Sequence, residues 1–324
     1  MTKAMVVHAF GGPEVLSWEE HDCGQPGRGE ILVEQAAVGV NFIDVYFRTG
    51  LYKPPTMPFV VGKEGAGTIA AIGEDVTTLS VGDRVAYNGA NGTYAERVVI
   101  AADQVVKLPD AISSDIAAAV MLKGMTAEYL LRRTFPVGPG TVMLFHAAAG
   151  GVGLIAGQWA KHLGATVIGT AGSADKCALA LQHGYDHVID YRQEDFVARV
   201  LEITDGKKCD VVYDSVGRDT FPHSLDCLKR RGLWVTFGQS SGKLPDIDLG
   251  ILNQKGSLFA TRPSLFGYVA NAREREESAE ALFGVIASGA VKIRIDQTYR
   301  LEDAVEAHRD LEARKTTGAT ILKV

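Results

Sequence analysis

The stretch TVMLF-HAAAGGVG-LIAGQWAKHLG-ATVIG, Thr141 to Gly169, decides the fold. Its first five residues are an apolar run of strand length. A small glycine-rich turn follows. Val152, Ile155, Ala156, Trp159 and Leu163 then recur at helical spacing, and Gly164 stops the helix before a second apolar run. Strand, tight turn, helix and strand make a βαβ unit. Its turn gathers backbone N–H groups at the positive end of a helix dipole, which suits a pyrophosphate. The dinucleotide fingerprint G-x-G-x-x-G falls on Ala148, Gly150 and Gly153, with Gly151 as an extra glycine, so its first glycine is replaced. A plain strand-to-helix turn is the bland alternative. The flanking strand, helix and second strand favour dinucleotide binding.

The end of the next strand bears on which dinucleotide. A site selective for NAD carries an acid there, about 20 residues past the glycines, to hold the ribose 2′-OH. Here the residues are Thr170, Ala171, Gly172 and Ser173, then Asp175 and Lys176. Small hydroxyls and a cation suit a 2′-phosphate. The competing reading is that Ser173 caps the next helix and Lys176 is solvated on its first turn, although a cation is disfavoured at that end of a helix. Tyr191 and Arg192 could add a stacking face and a second cation.

From Thr141 onward, strands at 142–145, 166–169, 187–189, 210–214, 233–237 and 258–261 alternate with helical stretches. This predicts a doubly wound parallel sheet. Ligands of such sheets lie beyond the carboxyl ends of the strands. Three further turns therefore become candidates: 214–217 with Ser215; 237–241 with Phe237, Gly238, Gln239 and Ser240; and 261–263 with Arg262. Residues 1–124 have another texture. Short β-branched runs between glycines (31–40, 68–72, 84–87, 94–100) predict a small coiled β-barrel. Helices are expected at 113–122, 125–134, 274–288 and 301–314, and strands at 3–7, 291–295 and 319–324. The tail is expected to return to the barrel, so the domains are 1–124 with 265–324, and 125–264.

The chain has 324 residues, enough for two self-supporting cores, and a net charge of −6, which disfavours a general nucleic-acid surface. Cys23, Cys177, Cys209 and Cys227 are scattered, without C-x-x-C or a Cys/His cluster, as expected of reduced cytosolic thiols. No apolar run approaches a membrane span or a signal core, so a cytoplasmic protein is expected. Asp214, Ser215 and His223 could suggest a hydrolase, but Ser215 is not in a G-x-S-x-G elbow.

AAAGGVG at 147–153, VGDRV at 81–85 and YDSVG at 213–217 resemble the medium-chain dehydrogenase/reductase superfamily. Across essentially the whole chain, through KGSLFATRPSL and IASGAVK, the resemblance is to its zinc-free, zeta-crystallin-type NADPH:quinone oxidoreductases, bacterial members in particular. It implies a GroES-like β-barrel catalytic domain beside a Rossmann domain, an α/β fold overall. It also implies a homodimer and zinc-independent NADPH-dependent reduction of a quinone in an interdomain cleft. Reduction of an enone or enal C=C bond is the alternative, and a crystallin-like structural or RNA-binding role belongs to a different class.

Zinc-dependent relatives carry Cys where this chain has Asn41, and Gly-His-Glu where it has Gly62-Lys63-Glu64; their four-cysteine lobe is missing from 88–103. Zinc needs three or four S, N or O donors, and those donors are not there. By the resemblance, Asn41, Asp44, Tyr46, Tyr52 and Thr126 line the catalytic cleft, with Asn41 and Tyr46 as orienting hydrogen bonders. Packing at the barrel rim is the other reading for Tyr46 and Tyr52. Lys123 and Arg314 are candidates for the nicotinamide side. The cofactor set is then Asn41, Thr126, Ala148, Gly150, Gly151, Val152, Gly153, Gly172, Ser173, Lys176, Tyr191, Ser215, Phe237, Gly238, Gln239, Ser240, Arg262 and Arg314.

Overall fold

The computed structural model describes residues 2–89 and 91–324. Met1, where the expected first domain begins, and Ala90, within the stretch searched for a cysteine lobe, lie outside the described residues. Strands β1 (Thr2–Val7), β2 (Leu16–His21) and β3 (Glu30–Gly39) lead to helix α1 (Phe42–Arg48). β4 (Phe59–Val60), β5 (Glu64–Ile72), β6 (Arg84–Asn88), β7 (Arg97–Ala101) and β8 (Val105–Lys107) precede α2 (Ser114–Tyr129). Next come β9 (Val142–Phe145), α3 (Gly151–His162), β10 (Thr166–Ala171), α4 (Ala174–Leu181), β11 (His187–Asp190) and α5 (Phe196–Ile203). β12 (Cys209–Asp214), α6 (His223–Asp226), β13 (Leu228–Thr236), α7 (Gly250–Gln254), β14 (Phe259–Thr261) and α8 (Leu265–Tyr268) follow. The chain ends with α9 (Ala272–Ala287), β15 (Ile295–Arg300), α10 (Ala304–Glu312) and β16 (Ala319–Lys323).

The chain divides into two compact units. The first comprises Met1–Met125, Val269–Ala287 and Ile293–Val324; the second comprises Thr126–Tyr268 and Ser288–Lys292.

In the first unit a sheet runs β15-β16-β3-β5-β6-β8, with β7 also paired to β3, and a smaller sheet runs β2-β1-β4. β3 takes part in several pairings because its alternate residues, Ile31 and Val33 among them, pack inward with Ile69, Val85, Tyr87 and Ile100. The last strand, β16, lies antiparallel against β3, with Leu322 opposite Val38. A second apolar cluster joins Met5, Val7, Val38, Val40 and Leu322 to Ala304 and Ala307 of α10.

Local structure departs from the sequence expectations at three places. The 41–44 segment, for which the sequence reading names no element, opens helix α1. Asn41 is its N-cap, and the Asp44 side chain accepts the Asn41 backbone N–H, a capping pair that the spacing Asn-x-x-Asp carries. The two helices expected at 113–122 and 125–134 are one α-helix, α2, with a π-helical continuation over Leu130–Thr134. Gly124 does not break it. The Leu282 side chain packs into the space a Cβ would take, with its Cδ1 only 2.5 Å from that point, so the glycine serves close packing. The strand expected at 291–295 runs instead over Ile295–Arg300. Among the described residues it pairs only with β16 and is nowhere fully buried, so its period-two signal is faint.

In the second unit six parallel strands run in the order β11-β10-β9-β12-β13-β14. β9 sits between β10 and β12, so successive connections leave it on opposite sides. That point of reversal is where α/β sheets take ligands. Leu144, Ile168, Val212, Leu225 and Trp234 fill one face. Among the described residues, no helix is long and apolar enough to cross a membrane.

Candidate functional site

Two clusters of candidate residues are formed, one in each unit.

In the second unit, the chain leaves β9 at His146 and turns through Ala147, whose φ of 58° places a non-glycine residue in the left-handed region. Such strain costs about 1 kcal/mol and collects at functional turns. Ala148 N–H donates to the Thr170 carbonyl at 2.9 Å and Gly150 N–H to the Ala147 carbonyl at 2.9 Å, fixing the turn against β10. Gly150 caps α3 and has no side chain to satisfy the first-turn amides of Gly151, Val152 and Gly153. At Gly153 a Cβ would stand 2.4 Å from the Ala147 oxygen and 2.5 Å from the Ala148 oxygen, so only glycine lets helix and turn approach this closely.

Beyond β10, the Tyr191 hydroxyl folds back over Gly172, and Ser173 caps α4 by accepting the Lys176 backbone N–H at 3.4 Å. Gly172, Ser173, Lys176 and Tyr191 thus gather at one edge. Ser173 does cap the helix; its oxygen and the Lys176 ammonium remain chemically suited to a phosphate. Beyond β12 and β13 two turns are zipped together: Ser240 N–H donates to Ser215 O at 3.1 Å, and Ser241 N–H to Val216 O at 3.0 Å. Gly238 lies against the Ser215 backbone, the Phe237 ring is 5.7 Å from Phe145, and Gln239 Cα and Cβ border Gly217. Arg262 donates from Nη1 to the Gly238 carbonyl at 2.8 Å and to Thr236, holding this turn from β14.

Sequence reading missed the anchor beneath these turns. Asp214, fully buried, accepts Val216 N–H and Gly217 N–H on Oδ1 and the hydroxyls of Thr220 and Ser224 on Oδ2. Against the cost of burial, the His146 ring and the donors from Gly217, Thr220 and Ser224 hold its carboxyl below the usual range. Ser224 bridges Asp214 to His146 Nε2, and His146 Nδ1 meets the Thr170 hydroxyl at 2.9 Å. Burial lowers the His146 pKa. The neutral ring then donates to Ser224 and accepts from Thr170. The ends of β9, β10 and β12 are tied by one buried chain, and none of its groups is placed as a hydrolytic nucleophile.

In the first unit, Glu64 opens β5 fully buried and is the hub. It accepts Leu122 N–H at 2.6 Å, Asn41 Nδ2 at 2.8 Å and the Lys123 ammonium at 3.0 Å. Asn41 also donates to the Gly39 carbonyl at 3.4 Å. Both of its amide protons are used within the protein, so Oδ1 is what the side chain can still offer. The Lys63 ammonium meets the Gly89 carbonyl at 3.3 Å, pairs with Asn91 and stacks 4.7 Å over the Phe47 ring. Burial lowers the Lys63 pKa. Asp44 is also fully buried; burial raises its carboxyl to about 7, against the Asn41 N–H and the Tyr94 hydroxyl, which lower it.

Tyr46 and Tyr52, both half-buried, meet edge to face at 5.3 Å, and Phe42 and Phe47 flank them. Thr126 is buried in α2. Arg314 is exposed just past α10, with a φ of 57°.

A metal centre does not fit these residues. The carboxylate of Glu64 already faces a buried ammonium, Lys63 is a cation at the position of a ligand, and Asn41 presents one amide proton to Glu64 and the other to the Gly39 carbonyl. A divalent cation would be repelled by the two lysines and would find neither thiolate nor imidazole. Among the described residues, no group of three or more His, Cys, Asp or Glu is placed to hold a metal ion.

Residues 27–110 match the family model described as alcohol dehydrogenase GroES-like domain, and residues 151–284 match the one described as zinc-binding dehydrogenase. A quinone oxidoreductase of Pseudomonas aeruginosa is 51% identical over 323 residues, covering 99% of each chain. A 2-haloacrylate reductase of a Burkholderia species is 42% identical over 332 residues, again covering 99% of each. The crystal structure of the Escherichia coli quinone oxidoreductase complexed with NADPH is 52% identical and superposes with a TM-score of 0.98, over 99% of this chain and 100% of that one. With a GroES-like unit, a Rossmann unit and full-length identity of this order, the chain belongs to the quinone oxidoreductase family of the medium-chain dehydrogenase/reductase superfamily.

Proposed function

We propose that this protein reduces quinones with NADPH by hydride transfer that uses no metal. The observation that carries the reading is the uncapped N-terminus of α3 behind a strained turn, with Ser173, Lys176 and Tyr191 gathered one strand over. This arrangement fits a dinucleotide that carries a 2′-phosphate. The amides of Gly151, Val152 and Gly153 would hold its pyrophosphate, and the turns at Ser215 and at 237–240 would border the rest of it. Ser173 and Lys176 would hold the phosphate, with Tyr191 beside the adenine. When bound, the dihydronicotinamide supplies the hydride; the protein's part is to bind, orient and exclude water.

The first unit is then the catalytic domain and the second the nucleotide-binding domain. Asn41, with both amide protons directed to Glu64 and Gly39, offers a carbonyl oxygen. It suits a donor such as a carboxamide N–H or the O–H of a forming hydroquinone. Tyr46 and Tyr52 supply flat aromatic surface with phenol groups for an aromatic acceptor. Thr126 and Arg314 are proposed for the nicotinamide side. A quinone needs little polarisation because its reduced form is aromatic, which accords with the unsuitability of Asn41, Lys63 and Glu64 for zinc. A homodimer joined through the nucleotide-binding domain and a cytoplasmic location complete the proposal. The net charge of −6 weighs against RNA binding.

Reduction of an activated C=C bond is a second reading, because the 42% identical relative is a 2-haloacrylate reductase. Steady-state rates with a quinone panel and an enone and haloacrylate panel, measured after chelator treatment, decide between them. Quinones should turn over with NADPH at undiminished rate. Turnover restricted to the second panel would replace the reading, and activity lost to chelator and restored by zinc would overturn the metal-free mechanism. Lys176→Ala should raise the NADPH dissociation constant by about 10- to 100-fold, the loss of one charge-assisted phosphate contact, and leave NADH nearly unaffected. Calorimetric titration with both coenzymes reads this directly; equal effects would remove Lys176 from the phosphate site.

A further inference from the structure

The first unit buries a line of polar side chains in the middle of an apolar cluster. Asp44 and Arg48 of α1, Tyr94 before β7 and His308 of α10 are each fully buried, and Tyr94 packs in the cluster of Met5, Val7, Val38, Val61 and Leu301. Apolar side chains of similar volume would make such a core at least as stable, because desolvating charged groups costs several kcal/mol each. The arrangement therefore calls for a use other than packing.

The direction of every hydrogen bond in the line is fixed. Arg48 can only donate, so His308 Nδ1, 3.0 Å from Arg48 Nη1, accepts. Burial, and then Arg48 itself, lowers the His308 pKa to about 3, so the ring is neutral and its proton is on Nε2. That proton points to the Tyr94 oxygen at 3.2 Å, and the Tyr94 hydroxyl donates to Asp44 Oδ2 at 3.1 Å. Asp44 Oδ2 also accepts the Asn41 backbone N–H at 2.8 Å. At the outer end, Arg48 Nη2 makes a two-pronged pair with the part-exposed Glu312, at 2.8 Å to each oxygen, and Nε holds the Gly11 carbonyl.

The inner end is unusual. Oδ2 of Asp44 has two donors, whereas Oδ1 is buried with no partner among the described residues. A proton taken up by Asp44 must therefore ride on Oδ1, and it can come and go without breaking the bond to Asn41. The groups that act on Asp44 are Asn41 at the start of its own helix, Tyr94, Glu64 of β5, Lys63 just before β5 and Lys123 of α2, while Arg48 and His308 of α10 reach it through Tyr94.

We infer that Tyr94, His308 and Arg48 are positioning residues for the reduction, acting through Asp44 to fix Asn41 and to keep the Asp44 carboxyl neutral or charged as a unit. The inference rests on the hydride-transfer reading above. It follows that developing negative charge on the acceptor oxygen is opposed when Asp44 ionises. Quinone turnover should fall as pH rises through the Asp44 midpoint, near 7 in the native chain.

Tyr94→Phe tests this with little change of volume. It removes a donor that favours the ionised carboxyl, so the Asp44 midpoint should move to higher pH. Two readouts are taken: carbon-13 NMR titration of aspartate-labelled protein, which follows Asp44 without any substrate, and the pH profile of kcat for a benzoquinone. The expected result is an upward shift of the same size in both, a kcat at neutral pH that holds or rises because more of Asp44 is then neutral, a fall in kcat only at higher pH, and an NADPH dissociation constant within about twofold of native. His308→Gln, which keeps a donor toward Tyr94, should restore part of what His308→Leu removes. An unmoved NMR midpoint in Tyr94→Phe overturns the inference whatever the activity. A shifted midpoint with a kcat profile that does not follow it also overturns the positioning role. A native protein that reduces no quinone sinks the hydride reading instead, and the NMR arm shows which of the two has failed.

Discussion

Gly153→Ala should raise the NADPH dissociation constant at least about 100-fold, because it moves the first turn of α3 away from the strand–turn junction by a substantial fraction of an ångström. The physical reason is local. The added methyl group would stand 2.4 Å and 2.5 Å from two backbone oxygens, and neither Ala147 nor Ala148 can swing aside as a side-chain end could. Either the helix start shifts, spreading the amides of 151–153, or the turn opens and loses the Ala148–Thr170 bond. The overpacking itself should cost about 3 kcal/mol of stability. Gly138→Ala is the control, since a Cβ there meets nothing within 4 Å. Calorimetry with NADPH on both variants gives the answer; a Gly153→Ala protein that is folded and binds as tightly as Gly138→Ala would mean the pyrophosphate is held elsewhere.

The second large effect is expected from the hub of the first unit. Lys123→Met should destabilise the protein by about 3–5 kcal/mol, the usual cost of leaving a buried charge without its partner. Glu64 is fully buried and keeps only the Asn41 and Leu122 donors in that variant. A fall in Tm of about 10 °C corresponds to this loss. Glu64→Gln combined with Lys123→Met removes both charges and should recover much of the stability, though Asn41 then faces a neutral amide and its orientation is less strongly held. Thermal melts of the single and double variants measure the coupling. A single variant as stable as the native chain would show that water reaches Glu64 and that the ion pair is not a buried electrostatic centre.

These two positions were not equally legible. Gly153 is announced by its neighbours: a strand-length run, the alanines and glycines of 147–151 and a helical stripe are contiguous, so the turn and its use can be read in one window. The same holds for the order of βαβ units, where the alternation of apolar runs and helical stripes is local and strong. Ser173 and Lys176 were legible as a pair but ambiguous in role, and the cap that Ser173 makes leaves its hydroxyl usable both ways. Lys123 and Glu64 are 59 residues apart and meet only through the tertiary fold.

The sequence alone was sufficient for what depends on neighbours along the chain: the glycine turn, the parallel Rossmann unit, the short-stranded barrel and the replacement of zinc-ligand positions by Asn41 and Lys63. Only the tertiary structure decided which side chains share a buried environment. It put Asp44 and Arg48 in contact with Tyr94 and His308 across separations of up to 260 residues, and it turned Asp214 from a strand-end acid into the anchor of a turn. The reason is that hydrogen-bond direction and the cost of burying charge are set by atoms brought together from distant elements, and no spacing rule along one chain records them.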